Sequence, residues 1–249
     1  MAETSKTVDH AARLLVAVRN AGPESTTELA KRLELSRTVT TRLIATLEAH
    51  DLVRRTDEGV ALGFGLLDLA AGLASGVRQA ATPQLQDLAV RFRETAVLAL
   101  ADHDSAVAVD QVLPDRRVMR VHYQSGLRHS LVEAAHGRAM LAHLESAATR
   151  LLAERTDAAR LHAELETVRR RGWALSHDEL ESGITGVASP VFDGRGTAIA
   201  SIGLVAPTGR FPGERSVGPA VREAADMVSA AIAAPAGFGD VRGRPNGTT

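Results

Sequence analysis

Residues 25–63 read STTELAKRLELSRTVTTRLIATLEAHDLVRRTDEGVALG, and the order of signals in this stretch decides the fold. Ser25 and Glu28 stand at capping-box spacing, so each side chain can satisfy the other residue's backbone N–H at a helix start. Leu29, Ala30 and Leu33 follow at helical spacing and predict a short helix over residues 26–33. Glu34-Leu35 is a tight connection. Ser36 can then cap a second helix, with Val39, Leu43, Ile44 and Leu47 as its apolar positions. Two short helices joined by such a turn make a helix-turn-helix.

The polar residues of the second helix carry the functional signal. Ser36, Arg37, Thr38, Thr40, Thr41 and Arg42 crowd its first half, and no acid precedes Glu48. Hydroxyls and guanidiniums at the N-terminal end of a helix are the groups that meet base edges in the major groove. Leu52–Thr56, a Gly-containing turn and Val60–Leu62 then predict a hairpin, the wing of a winged helix. Its Arg54 and Arg55 suit phosphates. The stretch therefore predicts a reader of double-stranded DNA. Base contacts are expected from Arg37, Thr38, Thr40, Thr41 and Arg42, and phosphate anchoring from Thr26, Ser36, Arg54 and Arg55. The alternative is a small-molecule sensor whose winged helix serves protein–protein contact.

Charge does not decide between them. The 249 residues carry a net charge of −1, and the first 63 hold nine basic against nine acidic residues. A DNA reader so composed must gather Arg37, Arg42, Arg54 and Arg55 on one face and keep Glu24, Glu48 and Asp51 elsewhere. Weak charge also implies modest affinity per copy, hence a homo-oligomer, dimer or tetramer. The absence of cysteine excludes disulfides and thiolate metal centres. The chain shows no signal peptide and no apolar run long enough to span a bilayer, which predicts a cytoplasmic protein without a membrane partner. No HExxH, GxSxG or phosphate-binding glycine loop is present. Asp102-His103-Asp104 is the densest group of metal-type ligands, but it reads as a solvated turn. No catalytic residue, metal or cofactor is expected.

Working outward, a first helix is predicted over residues 8–20, ended by Gly22-Pro23. Residues 63–80 read as one linker helix, and Pro83 as the start of another. Strands are predicted at 95–101, 106–112, 118–123 and 173–176, and a hairpin at 187–205 about Asp193-Gly194-Arg195-Gly196. Helices are predicted over 133–144, 146–171 and 219–234, and residues 235–249 as a disordered tail. The sum is an α+β chain with four parts: a winged helix-turn-helix at 5–63, a linker helix at 64–82, a sheet domain at 83–234 and the tail.

Residues 5–63, with SKTVDHAARLLVAV and LSRTVTTRLIATLEAHDLVRR, resemble the DNA-binding domain of the IclR family of bacterial transcriptional regulators. RRRGWALSHDELESGITGVASPVFDGRGTAIASIGLVAP, residues 169–207, resembles that family's effector-binding domain. The resemblance implies a GAF-like second domain, dimer contacts through the linker helix, and a ligand-responsive regulator, a repressor, on a pseudo-palindromic operator. It places a small-molecule effector among Ala135, His136, Gly137, Gly186, Ser189 and Gly203. The free N–H groups of the helix start there would favour an organic acid. The chain departs from the family pattern at Val132-Glu133-Ala134-Ala135, at Gly186 in place of a common cysteine, and at Gly203 in place of a common serine. Those departures suggest more room and fewer donors, with His136 as a substitute donor.

Overall fold

The computed structural model describes residues 4–71, 75–115, 120–153 and 155–233, and the chain divides into two compact units at residue 75. The expected tail at 235–249 lies outside the described residues.

The first unit contains α1 (Lys6–Ala21), α2 (Thr26–Leu33), α3 (Arg37–Ala49), the hairpin β1 (Val53–Thr56) and β2 (Gly59–Leu62), and α4 (Gly65–Ala71). The capping box forms as the spacing predicts. Glu28 N–H donates to Ser25 Oγ (3.3 Å) and Ser25 N–H to Glu28 Oε2 (2.9 Å). Glu34 adopts a left-handed backbone and turns the chain into α3, where Ser36 Oγ accepts from Val39 N–H. Leu14, Val18, Leu29, Leu33, Leu43, Ile44, Leu47, Val53 and Val60 close one core. The wing is anchored at its root. Val60 N–H donates to Glu24 O (2.8 Å), and Gly59 (φ +133°) passes so near that a Cβ there would lie 2.5 Å from the Glu24 carbonyl.

The second unit contains α5 (Ser75–Phe92), β3 (Thr95–Asp102), β4 (Ser105–Val112), β5 (Arg128–Ser130), α6 (Ala134–Leu141), α7 (Glu145–Ala153) and α8 (Ala158–Arg171). It continues through β6 (Ala174–His177), β7 (Ile184–Phe192), β8 (Ala198–Pro207) and α9 (Glu214–Ala233). Six strands form one antiparallel sheet in the order β5-β4-β3-β8-β7-β6. α5 and α9 cover one face, with Leu85, Leu88, Val217, Val221 and Val228 against Leu98, Ile202 and Leu204. α6, α7 and α8 cover the other, with Leu131, Met140, Leu141, Leu161 and Leu165 against Ala99, Ala174 and Ala188. Small residues on that face let α6 lie close to the sheet. Gly137 shows how close: a Cβ there would lie 2.7 Å from Ser130 O.

Three expectations need correction. Pro83 does not open a helix; it lies inside α5. Proline in a helix interior removes one hydrogen bond and costs roughly 3 kcal/mol. Ala81, Leu85, Leu88 and Ala89 compensate by anchoring the helix on both sides of it, and the residue four positions back, whose carbonyl Pro83 cannot reach, is the exposed Gln79. The linker helix expected over 63–80 does not end there: α5 runs on to Phe92, and residues 72–74, between α4 and α5, lie outside the described residues. The strand expected at 118–123 falls partly on residues 116–119, which are not described, and residues 120–123 form no ladder. Side chains hold that segment instead: Gln111 Oε1 accepts from Tyr123 N–H (2.9 Å), and Thr95 Oγ1 donates to Val121 O (2.6 Å). The strand on that edge is β5.

Candidate functional site

α3 sorts its residues cleanly. At about 100° per residue, the buried side chains Thr40, Leu43, Ile44 and Leu47 occupy one arc. The opposite arc exposes Thr38, Arg42 and Ala45, flanked by Arg37 and Thr41 on one side and Val39 and Thr46 on the other. Thr40 is therefore removed from the base-contact set. It is fully buried, and its hydroxyl donates to Ser36 O (3.1 Å). Val39, expected inside, is 39% exposed and takes the outward place instead. Hydrophobicity alone puts Val39 inside, but Thr40, Leu43, Ile44 and Leu47 fall at i, i+3, i+4 and i+7 and form the buried stripe. Val39 is the residue that reasoning missed, and its methyl groups suit the thymine methyl.

Arg37 and Arg42 are exposed and have no ion-pair partner among the described residues. The Arg54 guanidinium lies 5.2 Å from the ring centre of the exposed Phe64. Arg55 Nε sits 3.2 Å from Glu48 Oε2, so the expectation that Glu48 lies away from the wing arginines is corrected. Glu24 likewise sits at the root of the wing, its backbone bonded to Val60, the β2 partner of Arg55, while its carboxylate is engaged by Arg32 (Nε–Oε2 3.0 Å). Thr26, at the start of α2, is half-buried, and Ser36 is exposed.

A cavity of about 250 Å³ opens in the second unit between the start of α6, the sheet and residues 121–123. Ala135, His136 and Gly186 line it, together with Tyr123, His129, Ser176, Glu179 and Val205. Three expected residues do not. Gly137 packs on the backbone of Ser130 and Leu131. Ser189 is buried and donates to Gly172 O (2.6 Å). Gly203 is pressed between strands, where a Cβ would lie 2.4 Å from Val187 O, so the side chain missing there opens no pocket space.

His136 is 1% exposed. Its Nδ1 is 2.9 Å from Ser201 Oγ, and its Nε2 has no partner among the described residues. Burial, and then the neighbouring His129, push its pKa down to about 3, so the ring is neutral at any physiological pH. Burial also lowers His129 and raises Tyr123 to about 12.

One N–H group at the start of α6 is taken within the chain. Ala134 N–H donates to Glu179 Oε2 (2.9 Å), and Arg138 grips both oxygens of that carboxylate (2.5 and 2.6 Å). Burial raises the Glu179 pKa, but the Arg138 and Ala134 bonds outweigh it and hold the carboxyl below its ordinary range. Glu179 was not legible as a site residue, because its partner Arg138 lies 41 positions away.

Comparison with known proteins agrees with both halves. Residues 73–230 match the family described as bacterial transcriptional regulator IclR C-terminal, and residues 10–58 match the MarR family. The HTH-type transcriptional regulator BhcR of Paracoccus denitrificans is 29% identical over 245 residues, covering 92% of this chain and 88% of the relative. The crystal structure of an IclR transcriptional regulator from Alicyclobacillus acidocaldarius superposes with a TM-score of 0.78 at 29% identity, covering 92% of this chain and 99% of the other. An IclR homolog from Microbacterium hydrocarbonoxydans, solved in complex with 4-hydroxybenzoate, shares the fold with a TM-score of 0.80 at 22% identity, over 91% and 99% of the two chains. The first two of these are described as transcriptional regulators. A winged reading head and a sheet domain with a ligand-sized cavity meet in one polypeptide: the chain belongs to the IclR family of bacterial transcriptional regulators.

Proposed function

We propose that the chain is a repressor that binds a pseudo-palindromic operator as a homo-oligomer, one α3 per half-site, and changes its DNA affinity when a small molecule fills the pocket beside His136. The observation that carries this is the outward arc of α3. It presents Thr38, Arg42, Arg37 and Thr41 with neither acid nor protein cover, and turns Thr40 inward. Those four side chains, with Val39, meet base edges. Ser36, Thr26, Arg54 and Arg55 hold phosphates. Repression needs only occupancy of the operator, which the two units can supply without a further activity.

The test is a gel shift with DNA from upstream of the gene, across a salt series. Arg42→Ala should cost about 1–3 kcal/mol of specific binding if Arg42 meets a guanine. Binding that neither falls with salt nor weakens in this variant would favour the winged helix as a protein-contact module instead. Binding the operator to a reporter promoter decides the sign of regulation, since transcription should rise when Arg42 is replaced.

A further inference from the structure

The wing carries two adjacent arginines, and the hairpin turns them to opposite faces. Side chains alternate along a strand. Val53 and Arg55 share one face of β1, where Val53 enters the core and Arg55 meets Glu48 of α3. Arg54 takes the other face. Its guanidinium has no hydrogen bond or ion pair among the described residues and lies over the ring of Phe64, 5.2 Å from the centre.

Phe64 is 70% exposed and stands outside the core of the first unit, so burial does not account for its place. Its backbone, in contrast, is fixed. Gly63 N–H donates to Leu52 O (2.9 Å) and Gly65 N–H to Asp51 O (3.0 Å). A Cβ at Gly63 would run into the Asp51 carbonyl, and one at Gly65 would lie 3.0 Å from the same oxygen. The two glycines press the chain against the corner between α3 and β1. Phe64, between them, projects beside the wing, and its carbonyl accepts from Leu67 N–H (2.9 Å) as α4 begins.

The two arginines therefore have partners of different chemistry. The Glu48 carboxylate offsets the charge of Arg55 and engages its Nε. A phenyl ring does neither. It attracts a cation through the negative face of its π-system, and it leaves the charge whole and the in-plane N–H donors of the guanidinium open to a phosphate. A free arginine must give up rotamer freedom when it binds. One already resting on a fixed ring gives up less, which is preorganisation.

Resting on the DNA-binding reading above, we infer that Phe64 is a positioning residue for operator binding: its ring holds the Arg54 guanidinium in place, with its charge intact, for a backbone phosphate. Phe64 acts through Arg54 and needs no contact of its own with the duplex.

The test is a double-mutant cycle, read by fluorescence anisotropy of the full chain on labelled duplex DNA from upstream of its gene. Arg54→Ala should weaken binding and reduce the slope of log K against log salt by about 0.9, the loss of one phosphate contact. Phe64→Leu should weaken binding about two- to fivefold, the range of an exposed cation–π contact. In the Arg54→Ala background the same substitution should change nothing further. Phe64→Tyr keeps the ring and should recover the affinity lost with leucine. A thermal melt checks that each variant folds, and Phe64→Met takes the place of Phe64→Leu if that one does not. A loss in Phe64→Leu that persists undiminished without Arg54 overturns the inference, because Phe64 then acts elsewhere. So does full affinity in Phe64→Leu, and so does an Arg54→Ala variant with unaltered affinity and slope. If the unaltered protein does not bind the DNA at all, the DNA-binding reading falls and takes this inference with it; once binding is seen, the cycle alone decides the role of Phe64.

Discussion

Replacing Glu48 by Gln should make this protein bind DNA more tightly, and the effect should depend on salt in a defined way. Arg55 on the wing is held 3.2 Å from the Glu48 carboxylate, with both side chains substantially exposed. As it stands, the pair is neutral, and the wing can offer a phosphate only part of a cation. Glu48→Gln keeps the shape and removes the negative charge. Freeing Arg55 and removing an anion from the phosphate's neighbourhood is worth about 1 kcal/mol at low salt by Coulomb's law in a watery setting, or roughly fivefold in affinity. Each additional phosphate neutralised steepens the plot of log K against log salt by about 0.9. Between 50 and 200 mM salt the advantage should therefore shrink by roughly 3.5-fold, leaving about 1.5-fold at the higher value. Fluorescence anisotropy with a labelled operator reads both quantities. Thermal stability should barely move, since an exposed pair contributes little to folding. Unchanged affinity together with an unchanged slope would show that Arg55 does not face the backbone, and would refute the placement of the wing in the complex.

Three further outcomes follow from the geometry. Thr40→Val should alter operator affinity by less than about twofold, because the side chain is buried and an isosteric swap removes only a local bond to Ser36 O; Thr38→Val, four-tenths of a turn away on the outward arc, should weaken it clearly in the same anisotropy assay. Gly59→Ala should destabilise the first unit by more than Gly22→Ala in chemical denaturation, since both glycines have positive φ but only Gly59 has a backbone carbon 2.5 Å from the new Cβ; Gly22→Ala should cost about 1 kcal/mol. Stability should fall below neutral pH: His136 keeps a pKa of about 3 in the folded chain, so the unfolded state takes up a proton below about 6.5 that the folded state refuses. The loss between pH 7 and pH 5 should be about 2 kcal/mol from this residue, and His136→Phe should flatten that part of the denaturation-versus-pH curve.

The parts of the molecule that could be read from the sequence are those set by neighbours along the chain. The capping box at Ser25, the span Thr26–Leu33 and the hairpin after α3 depend on contacts over a few residues, and all three appear as the spacing demands. The one-residue slip in α3 came from ranking Val39 above Thr40 by hydrophobicity, when a threonine that bonds to the carbonyl four residues back loses little by burial. β5 was invisible because Arg128–Ser130 has no apolar alternation; its place is fixed by pairing with Ser105–Val107. Pro83 inside α5 is a case of packing overriding local preference. The pocket lay furthest from reach. Ser189 and Gly203 sit in the right strands but make their contacts within the sheet, and Glu179 acts only because the fold brings it to Ala134 and Arg138 across more than 40 positions.

The even charge of the reading head then takes on a physical meaning. Of its basic residues, Arg32 is committed to Glu24 and Arg55 to Glu48, while Arg13 lies 4.0 Å from Asp9. The acids neutralise cations away from the outward arc of α3 and leave Arg37 and Arg42 bare, so zero net charge coexists with a positive working face. Such a face attracts DNA weakly at a distance, because at physiological salt the opposing charges cancel beyond about 8 Å. It distinguishes sequences only at contact. A head of that kind gains little from non-specific phosphate binding, and the proposed homo-oligomer would offset this by holding several heads on adjacent half-sites, where the second binds at the effective concentration set by the first. Under that proposal, a small molecule that disturbs the assembly's spacing would act on the same effective concentration.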